Sequence, residues 1–277
     1  MAREEVAYLG PEGTYSHLVA EGRYGSSRKM TAMPTITDVC AYVARDPTGR
    51  RGIIPIENSS GGAIYETVDI LLANRPRIRI REELSLNVQL ALLGREGQRI
   101  TMLYSHFAPL EHCTRWIKRR LPRVEKHVVT STAKAARMAF LEDHAAALGN
   151  KRLAKLYNLK VLEYPVEADC PNITLFLAIG GRDRMIRGAT KSTLAVKLPN
   201  EPGALCTFLD AFRCEGVNLS RIISRPIRGC PREYAFLVDI DGSVMLPQAK
   251  RALKAARCTS VEIRVVGSYP VGREYRS

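Results

Sequence analysis

Short apolar runs that end in glycine, serine, threonine or asparagine recur along the first two thirds of the chain. Val6-Ala7-Tyr8-Leu9 gives way to Gly10-Pro11-Glu12-Gly13-Thr14, and a helical pattern opens at Ser16. That order reads as strand, glycine-rich turn and helix N-terminus. Gly52-Ile53-Ile54-Pro55-Ile56 is a second buried strand, which breaks into Glu57-Asn58-Ser59-Ser60-Gly61-Gly62 before a helix over residues 64–73. A further strand is expected over residues 84–93. Met102-Leu103-Tyr104 leads into Ser105-His106 and a helix around 113–120, and Val128-Val129 leads into Ser131-Thr132-Ala133 and an alanine-rich helix over 134–141. A short apolar run at 145–148 precedes a helical segment at 153–157, and another at 174–181 precedes a basic link over 182–191. Strands alternating with helices predict an α/β sheet with parallel strands.

Beyond the link the texture changes. Strand patterns at 192–198, 217–223, 234–240 and 261–266 enclose helical patterns at 203–212 and 247–256. The order βαββαβ is that of a ferredoxin-like sandwich, which places a domain boundary at residues 182–190.

Four apolar runs end in small hydroxyl or amide residues directly before a helix, at Gly13-Thr14-Tyr15-Ser16, Asn58-Ser59-Ser60, Ser105-His106 and Ser131-Thr132. Each supplies an N-cap, and capping alone accounts for any one of them. Helix N-termini at the carboxyl edge of a parallel sheet also bind anions. Four such loops together predict a carboxylate-binding cleft.

Charge narrows the partners. The 277 residues include 42 Lys and Arg against 28 Asp and Glu, a formal charge of +14. The excess is spread over both parts of the chain. Arg75, Arg77, Arg79 and Arg81 alternate with Pro76, Ile78 and Ile80, which puts all four on one face of a strand. A solvated face is the plainer reading of that cluster, a phosphate-tracking stripe the alternative. Aromatic residues are sparse, with Trp116 the one tryptophan, so a nucleic-acid reader built on stacked rings is not expected. The basic balance suits a small, multiply anionic substrate. Seven cysteines lack any CxxC spacing and five histidines any HExxH pair, so neither a disulfide framework nor a metal is expected. No apolar run approaches the ~20 residues that span a bilayer, and no apolar signal region precedes Val6. A soluble, cytoplasmic chain is the expectation.

Taken in order, the motifs resemble those of prephenate dehydratases that carry a C-terminal ACT regulatory domain. They are Tyr8-Leu9-Gly10-Pro11-Glu12-Gly13-Thr14-Tyr15-Ser16-His17, Pro55-Ile56-Glu57-Asn58-Ser59, Tyr104-Ser105-His106, Ser131-Thr132-Ala133, Ala135-Ala136 and Asn172-Ile173-Thr174-Leu175-Phe176. In the tail, Pro202-Gly203-Ala204-Leu205, Asn218-Leu219 and Ser224-Arg225-Pro226 resemble the phenylalanine-sensing pieces of such ACT domains.

The resemblance implies decarboxylating dehydration of prephenate to phenylpyruvate in L-phenylalanine biosynthesis, without metal or organic cofactor, under allosteric control by L-phenylalanine. It implies a two-lobed, periplasmic-binding-protein-like catalytic domain over 1–181, with lobe one at 1–76 and 168–181 and lobe two at 77–167. A ferredoxin-like ACT domain over 190–277 would follow, pairing chains into a homodimer or homotetramer. It implies Thr174 as donor of a hydrogen bond or proton to the departing hydroxyl. Thr14, Ser16, Asn58, Ser59, Ser105, His106, Ser131 and Thr132 would line the cleft and hold carboxylates, with His106 either orienting a partner or capping its helix. Glu57 would bond its own loop. Gly203, Ala204, Leu205, Asn218 and Ser224 would form the phenylalanine site. No long helical extension precedes Val6, so no chorismate mutase segment is expected.

The chain departs from the family pattern at three places. Thr174-Leu175-Phe176 stands for threonine-arginine-phenylalanine, Phe107-Ala108-Pro109-Leu110 for proline-glutamine-alanine-leucine, and Ile223 for a frequent glutamate. The family arginine is expected to hold a substrate carboxylate, and leucine has no donor. Three readings follow. Another base, Lys134 or one of the clustered arginines, replaces it; or the site decarboxylates prephenate without aromatising it; or the chain is a catalytically weak, amino-acid-binding homologue. Compensated dehydratase activity is the favoured reading.

Overall fold

The computed structural model describes residues 5–74, 78–180, 186, 188–227, 229–230 and 232–277. Arg75, Pro76 and Arg77 of the arginine cluster lie outside the described residues, as does most of the expected 182–190 boundary.

The chain opens with β1 (Glu5–Leu9), α1 (Tyr15–Tyr24), β2 (Lys29–Met33), α2 (Ile36–Arg45), β3 (Arg50–Asn58), the two-residue β4 (Gly62–Ala63), α3 (Tyr65–Ala73) and β5 (Ile80–Asn87). A second sheet grows from β6 (Leu90–Gly94), β7 (Met102–Ser105), α4 (Phe107–His112), α5 (Thr114–Arg120), β8 (Glu125–Val128), α6 (Thr132–Leu141), β9 (Ala145–Gly149), α7 (Arg152–Leu156) and β10 (Lys160–Val166). The chain then returns to the first sheet as β11 (Ile173–Gly180). A third sheet follows, made of β12 (Lys191–Lys197), α8 (Ala204–Arg213), β13 (Leu219–Pro226), β14 (Tyr234–Asp241), α9 (Pro247–Cys258) and β15 (Glu262–Tyr269), before β16 (Val271–Arg276) rejoins the first. The strand orders are β16-β5-β11-β3-β1-β2, with β4 beside β3, then β10-β6-β9-β7-β8, then β13-β14-β12-β15. The third unit has the βαββαβ order read from the sequence, and all its strand pairs are antiparallel.

Four expectations need correction. Parallel pairing holds for β1 with β2 and β3, and for β7 with β8 and β9. β11 instead runs antiparallel to both neighbours, and β6 antiparallel to β9 and β10. The strand expected over 84–93 is two strands in different sheets, joined by Val88 and Gln89. Burial on both sides of that junction keeps the pattern apolar, so hydrophobicity alone does not reveal the change of sheet. The lobe boundary therefore falls at residues 88–89, not at 77, because β5 belongs to the first sheet. The first sheet also takes β16 from the region expected to be wholly regulatory, pairing it parallel to β5. Beyond β16, Ser277 Oγ accepts from Gln89 N (2.7 Å) and donates to Gln89 O (2.9 Å), while Tyr164 Oη donates to Ser277 O (2.6 Å). The end of this strand is thus fastened to the crossing between lobes.

β11 shows why its sequence is continuously apolar. Phe176 and Ala178 enter a core shared by both lobes, with Leu84, Leu103, Trp116 and Leu148. Leu177 and Ile179 enter another on the opposite face, with Ile54, Ile56, Ala195 and Leu237, where the third sheet packs. Docking of that sheet is reinforced at α3. Arg225 makes a two-pronged contact with Asp69 (2.6 and 2.8 Å), and Arg264 Nη2 donates to the carbonyls of Leu71 and Leu72 at the carboxyl end of α3, where a cation suits the helix dipole. Arg79 donates to Val265 O (3.0 Å), so this member of the arginine cluster serves the interface and is not simply solvated.

Phe176→Ala opens a cavity in the core between the lobes and is expected to lower the unfolding free energy by about 3–5 kcal/mol, read from urea unfolding.

Candidate active site

The carboxyl ends of β1, β3, β7 and β8 carry most of the hydroxyl and amide groups singled out in the sequence. At the end of β3, Asn58 stands opposite Thr174 in register. Its Nδ2 donates to Thr174 Oγ1 (2.9 Å) and to Asn172 Oδ1 (2.9 Å), while its Oδ1 accepts from Ser60 N and Gly61 N (both 3.0 Å). Two backbone donors on one end of the amide fix which end faces the threonine. The Thr174 oxygen is thereby an acceptor, which leaves its own hydrogen to donate elsewhere. Ser59 does a structural job next door. Its Oγ donates to Pro171 O (2.9 Å) and accepts from Ile173 N (3.0 Å), stitching the β3 turn to the start of β11.

Capping explains two of the expected site residues. Thr14 caps α1 by accepting from His17 N and also donates to Leu9 O (2.9 Å). Ser131 caps α6 by accepting from Lys134 N (3.1 Å). The other two junctions are different. Asn58 closes a turn ahead of β4, and Ser105 is fully buried at the end of β7 with no partner for its Oγ among the described residues. Ser16 and Thr132 are buried in the first turns of α1 and α6. His106 occupies the N-cap position of α4 without a side-chain cap bond and leans on Phe107, so it does not cap its helix through the ring.

Three polar groups missed by the sequence reading accompany these. Tyr15 Oη, His112 Nε2 and Asn150 Nδ2 are buried without partners among the described residues, like Ser105 Oγ. Asn150 follows β9, which lies beside β7, and its position was signalled. The apolar run at 145–148 also ends in an amide residue before a helix, a fifth case of the junction pattern. Tyr15 and His112 carried no such signal.

Besides the core they share, the lobes touch at two of the loops described above. Gly13, at φ 83°, brings the lobe-one turn so close to α7 that an added Cβ would stand 2.6 Å from Leu153 Cδ2, so both conformation and space require glycine there. Ser60 Oγ lies 3.4 Å from His112 Nδ1, which also faces Cys170 Sγ at 3.6 Å. Burial holds the His106 and His112 rings below the ordinary histidine value, with Glu111 and Asp169 partly opposing it at His112. Among the described residues no three His, Cys, Asp or Glu side chains gather to hold a metal, and no helix is long and apolar enough to cross a membrane.

A family model described as prephenate dehydratase matches residues 6–184. The chain belongs to the prephenate dehydratase family. The bifunctional chorismate mutase/prephenate dehydratase of Aquifex aeolicus is 33% identical over 268 residues, 96% of this chain and 73% of that protein. The prephenate dehydratase of Bacillus subtilis is 29% identical, with 96% and 98% covered. Among solved structures, prephenate dehydratase from Arthrobacter aurescens in complex with L-Phe gives a TM-score of 0.86 at 29% identity, covering 96% of this chain and 90% of that one. A protein described as "GqqA- a novel type of quorum quenching acylases" gives 0.86 at 25% identity, covering 97% and 98%.

Against the family pattern, Leu175 reads differently than its sequence position suggested. It packs with the core on the third-sheet side of β11, as does Ile223, whereas Thr174 faces Asn58. An arginine and a glutamate of the prephenate dehydratase pattern are thus replaced by two apolar residues at one interface. The substitution removes no donor from the Asn58–Thr174 side. Lys134 is exposed in the first turn of α6, and Arg79 is turned to β15. Glu57, expected to bond its own loop, instead accepts from Arg221 of β13 (2.8 Å). In the third-sheet unit, Gly203 opens α8 at φ 82° with no side-chain cap, Ala204 and Leu205 form its first turn, and Ser224 is exposed on β13. Asn218 donates to Asp241 Oδ2 (2.8 Å).

Ser105→Ala removes a buried hydroxyl with no partner among the described residues and is expected to raise the unfolding free energy by about 1 kcal/mol, read by thermal or urea unfolding. The unfolded chain takes up protons on His106 and His112 below the ordinary value of 6.5 while the folded chain resists them. Their contribution is whole above that pH and lost as pH falls, until the folded rings titrate. Urea midpoints are expected to decline from pH ~7.5 to ~5.5 and to decline less in His112→Gln.

Proposed function

We propose that the chain converts prephenate to phenylpyruvate, carbon dioxide and water, and that its third-sheet unit is an ACT domain sensing L-phenylalanine. The Asn58–Thr174 hydrogen bond carries this reading. As the ring carboxylate leaves as carbon dioxide, its bonding electrons enter the ring, the ring hydroxyl leaves with one proton as water, and aromaticity drives the step. What the protein must add is orientation of two carboxylates and a donor at the leaving oxygen. Asn58 occupies one lone pair of the Thr174 hydroxyl, orienting its O–H for that donation. Ser105 Oγ, Asn150 Nδ2 and the amino ends of α4 and α6 suit the carboxylates, with His106 at the start of α4, Thr132 in the first turn of α6 and Ser16 in that of α1. Thr14, Ser59 and Ser131 act as builders of those loops. Closure of one lobe on the other excludes water, as in periplasmic-binding-protein-like folds.

The Arthrobacter relative's complex with L-Phe supports a phenylalanine site around Gly203, Ala204, Leu205, Asn218 and Ser224, with the uncapped start of α8 as the carboxylate end. β13 is an edge of its sheet and suits pairing with a second copy, giving a homodimer or a homotetramer. The acylase-described relative has the same architecture, so activity is argued from the site and not from the fold.

Purified protein given prephenate is expected to form phenylpyruvate, followed by its alkaline absorbance. Thr174→Ala is expected to lower kcat at least about a hundredfold with an unchanged unfolding midpoint. Leu175→Arg is expected to lower stability without raising turnover, since it places a charge in an apolar interface. Substrate loss without phenylpyruvate, or a fully active Thr174→Ala, would refute the reading.

A further inference from the structure

We propose that Arg221, in the third-sheet unit, is a positioning residue for the reaction, holding the Asn58–Thr174 pair from the far side of β3. The inference rests on the dehydratase reading above.

Arg221 is almost enclosed, its side chain 9% exposed. Its guanidinium meets three carboxylates from two domains. Nε donates to Glu57 Oε2 (2.8 Å), Nη1 to Asp239 Oδ2 (2.5 Å), and Nη2 lies 3.4 Å from Glu83 Oε2. Asp239 is fully buried and takes a further bond from Thr193, and Glu83 is paired with Lys191. The arginine is therefore fixed by β14 and β5 before it reaches Glu57. Glu57 is the more exposed partner, at 36%, and sits directly before Asn58 on β3. Successive strand side chains project to opposite faces. Glu57 meets the third-sheet unit on one side, and Asn58 meets Thr174 on the other. Asn58 and Ser59 are tied to β11 on one side, and Glu57 supplies the tie of this end of β3 to the third-sheet unit. Without Arg221, the Glu57 carboxylate turns to water and the end of β3 gains freedom, so the Asn58 amide loses its aim on Thr174. Misplacement by about 1 Å costs on the order of a hundredfold in rate. Any shift of β13, which also bears Ser224, reaches Asn58 by the same route.

The test uses the full chain with Arg221→Met, Glu57→Ala and Glu57→Gln. Arg221→Met and Glu57→Ala are expected to lower kcat about tenfold with KM within about twofold, and Glu57→Gln, which keeps an acceptor for Arg221, to stay within about threefold of wild type. In parallel, the side-chain amide signals of Asn58, assigned by their loss in Asn58→Asp, are followed by nitrogen–proton NMR without substrate. Both damaging variants are expected to shift those signals and speed their exchange with solvent. If Arg221→Met does not fold, Glu57→Ala decides, because it leaves the buried Arg221–Asp239–Glu83 contacts in place. Folded Glu57→Ala with wild-type kcat, or with unchanged Asn58 signals, overturns the proposal. Wild-type protein that forms no phenylpyruvate overturns the dehydratase reading instead, and the Asn58 signals still decide whether Arg221 positions the pair.

Discussion

The register of β11 between β3 and β5 is the constraint on which the site depends. Thr174 and Asn58 are 116 residues apart and meet only because β11 lies antiparallel beside β3 with these two opposite. A slip of one residue would turn Thr174 toward the third sheet and Leu175 toward Asn58. Two dry cores prevent it. Phe176 and Ala178 fill one face and Leu177 and Ile179 the other, so no slipped register keeps both filled. The apolar continuity of the strand is thus what makes its one hydroxyl precise.

Behind that strand, charge and hydrocarbon divide the interface. Arg221, Lys191 and three carboxylates occupy one part, while Leu175 and Ile223 join the core in another. A buried ion cluster adds little net stability, because desolvation offsets its attraction, but it admits few alternative geometries. Apolar contact holds the domains together, and the ion cluster sets their alignment.

Much of this was legible in the chain. The ordered motifs marked the Asn58 and Thr174 loops, and the βαββαβ rhythm marked the third sheet. Thr14 and Ser131 were readable as caps because capping is local in sequence. What stayed hidden is non-local. Whether Leu175 faces the cleft or the third sheet depends on which side of β11 each domain covers. The break at Val88–Gln89 separates strands equally apolar on both sides, and β16 carries polar residues typical of an edge. Tyr15 and His112 gain interest only because folding leaves Tyr15 Oη and His112 Nε2 buried without a partner among the described residues. Asn150 is the exception, overlooked although it fits the junction pattern.

The return of β16 to β5 has a consequence for synthesis. The third-sheet unit is enclosed between segments of the first sheet, and β5 pairs with a strand nearly two hundred residues later. During translation β5 therefore presents a bare edge until residues 271–276 have been made. Such long-range closure is slow and leaves an edge open to pairing with other chains. The intervening unit has its own core of Leu194, Phe208, Phe212 and Val238, and can fold while the first sheet waits. Order of assembly, and not only final geometry, is written into where this strand lies.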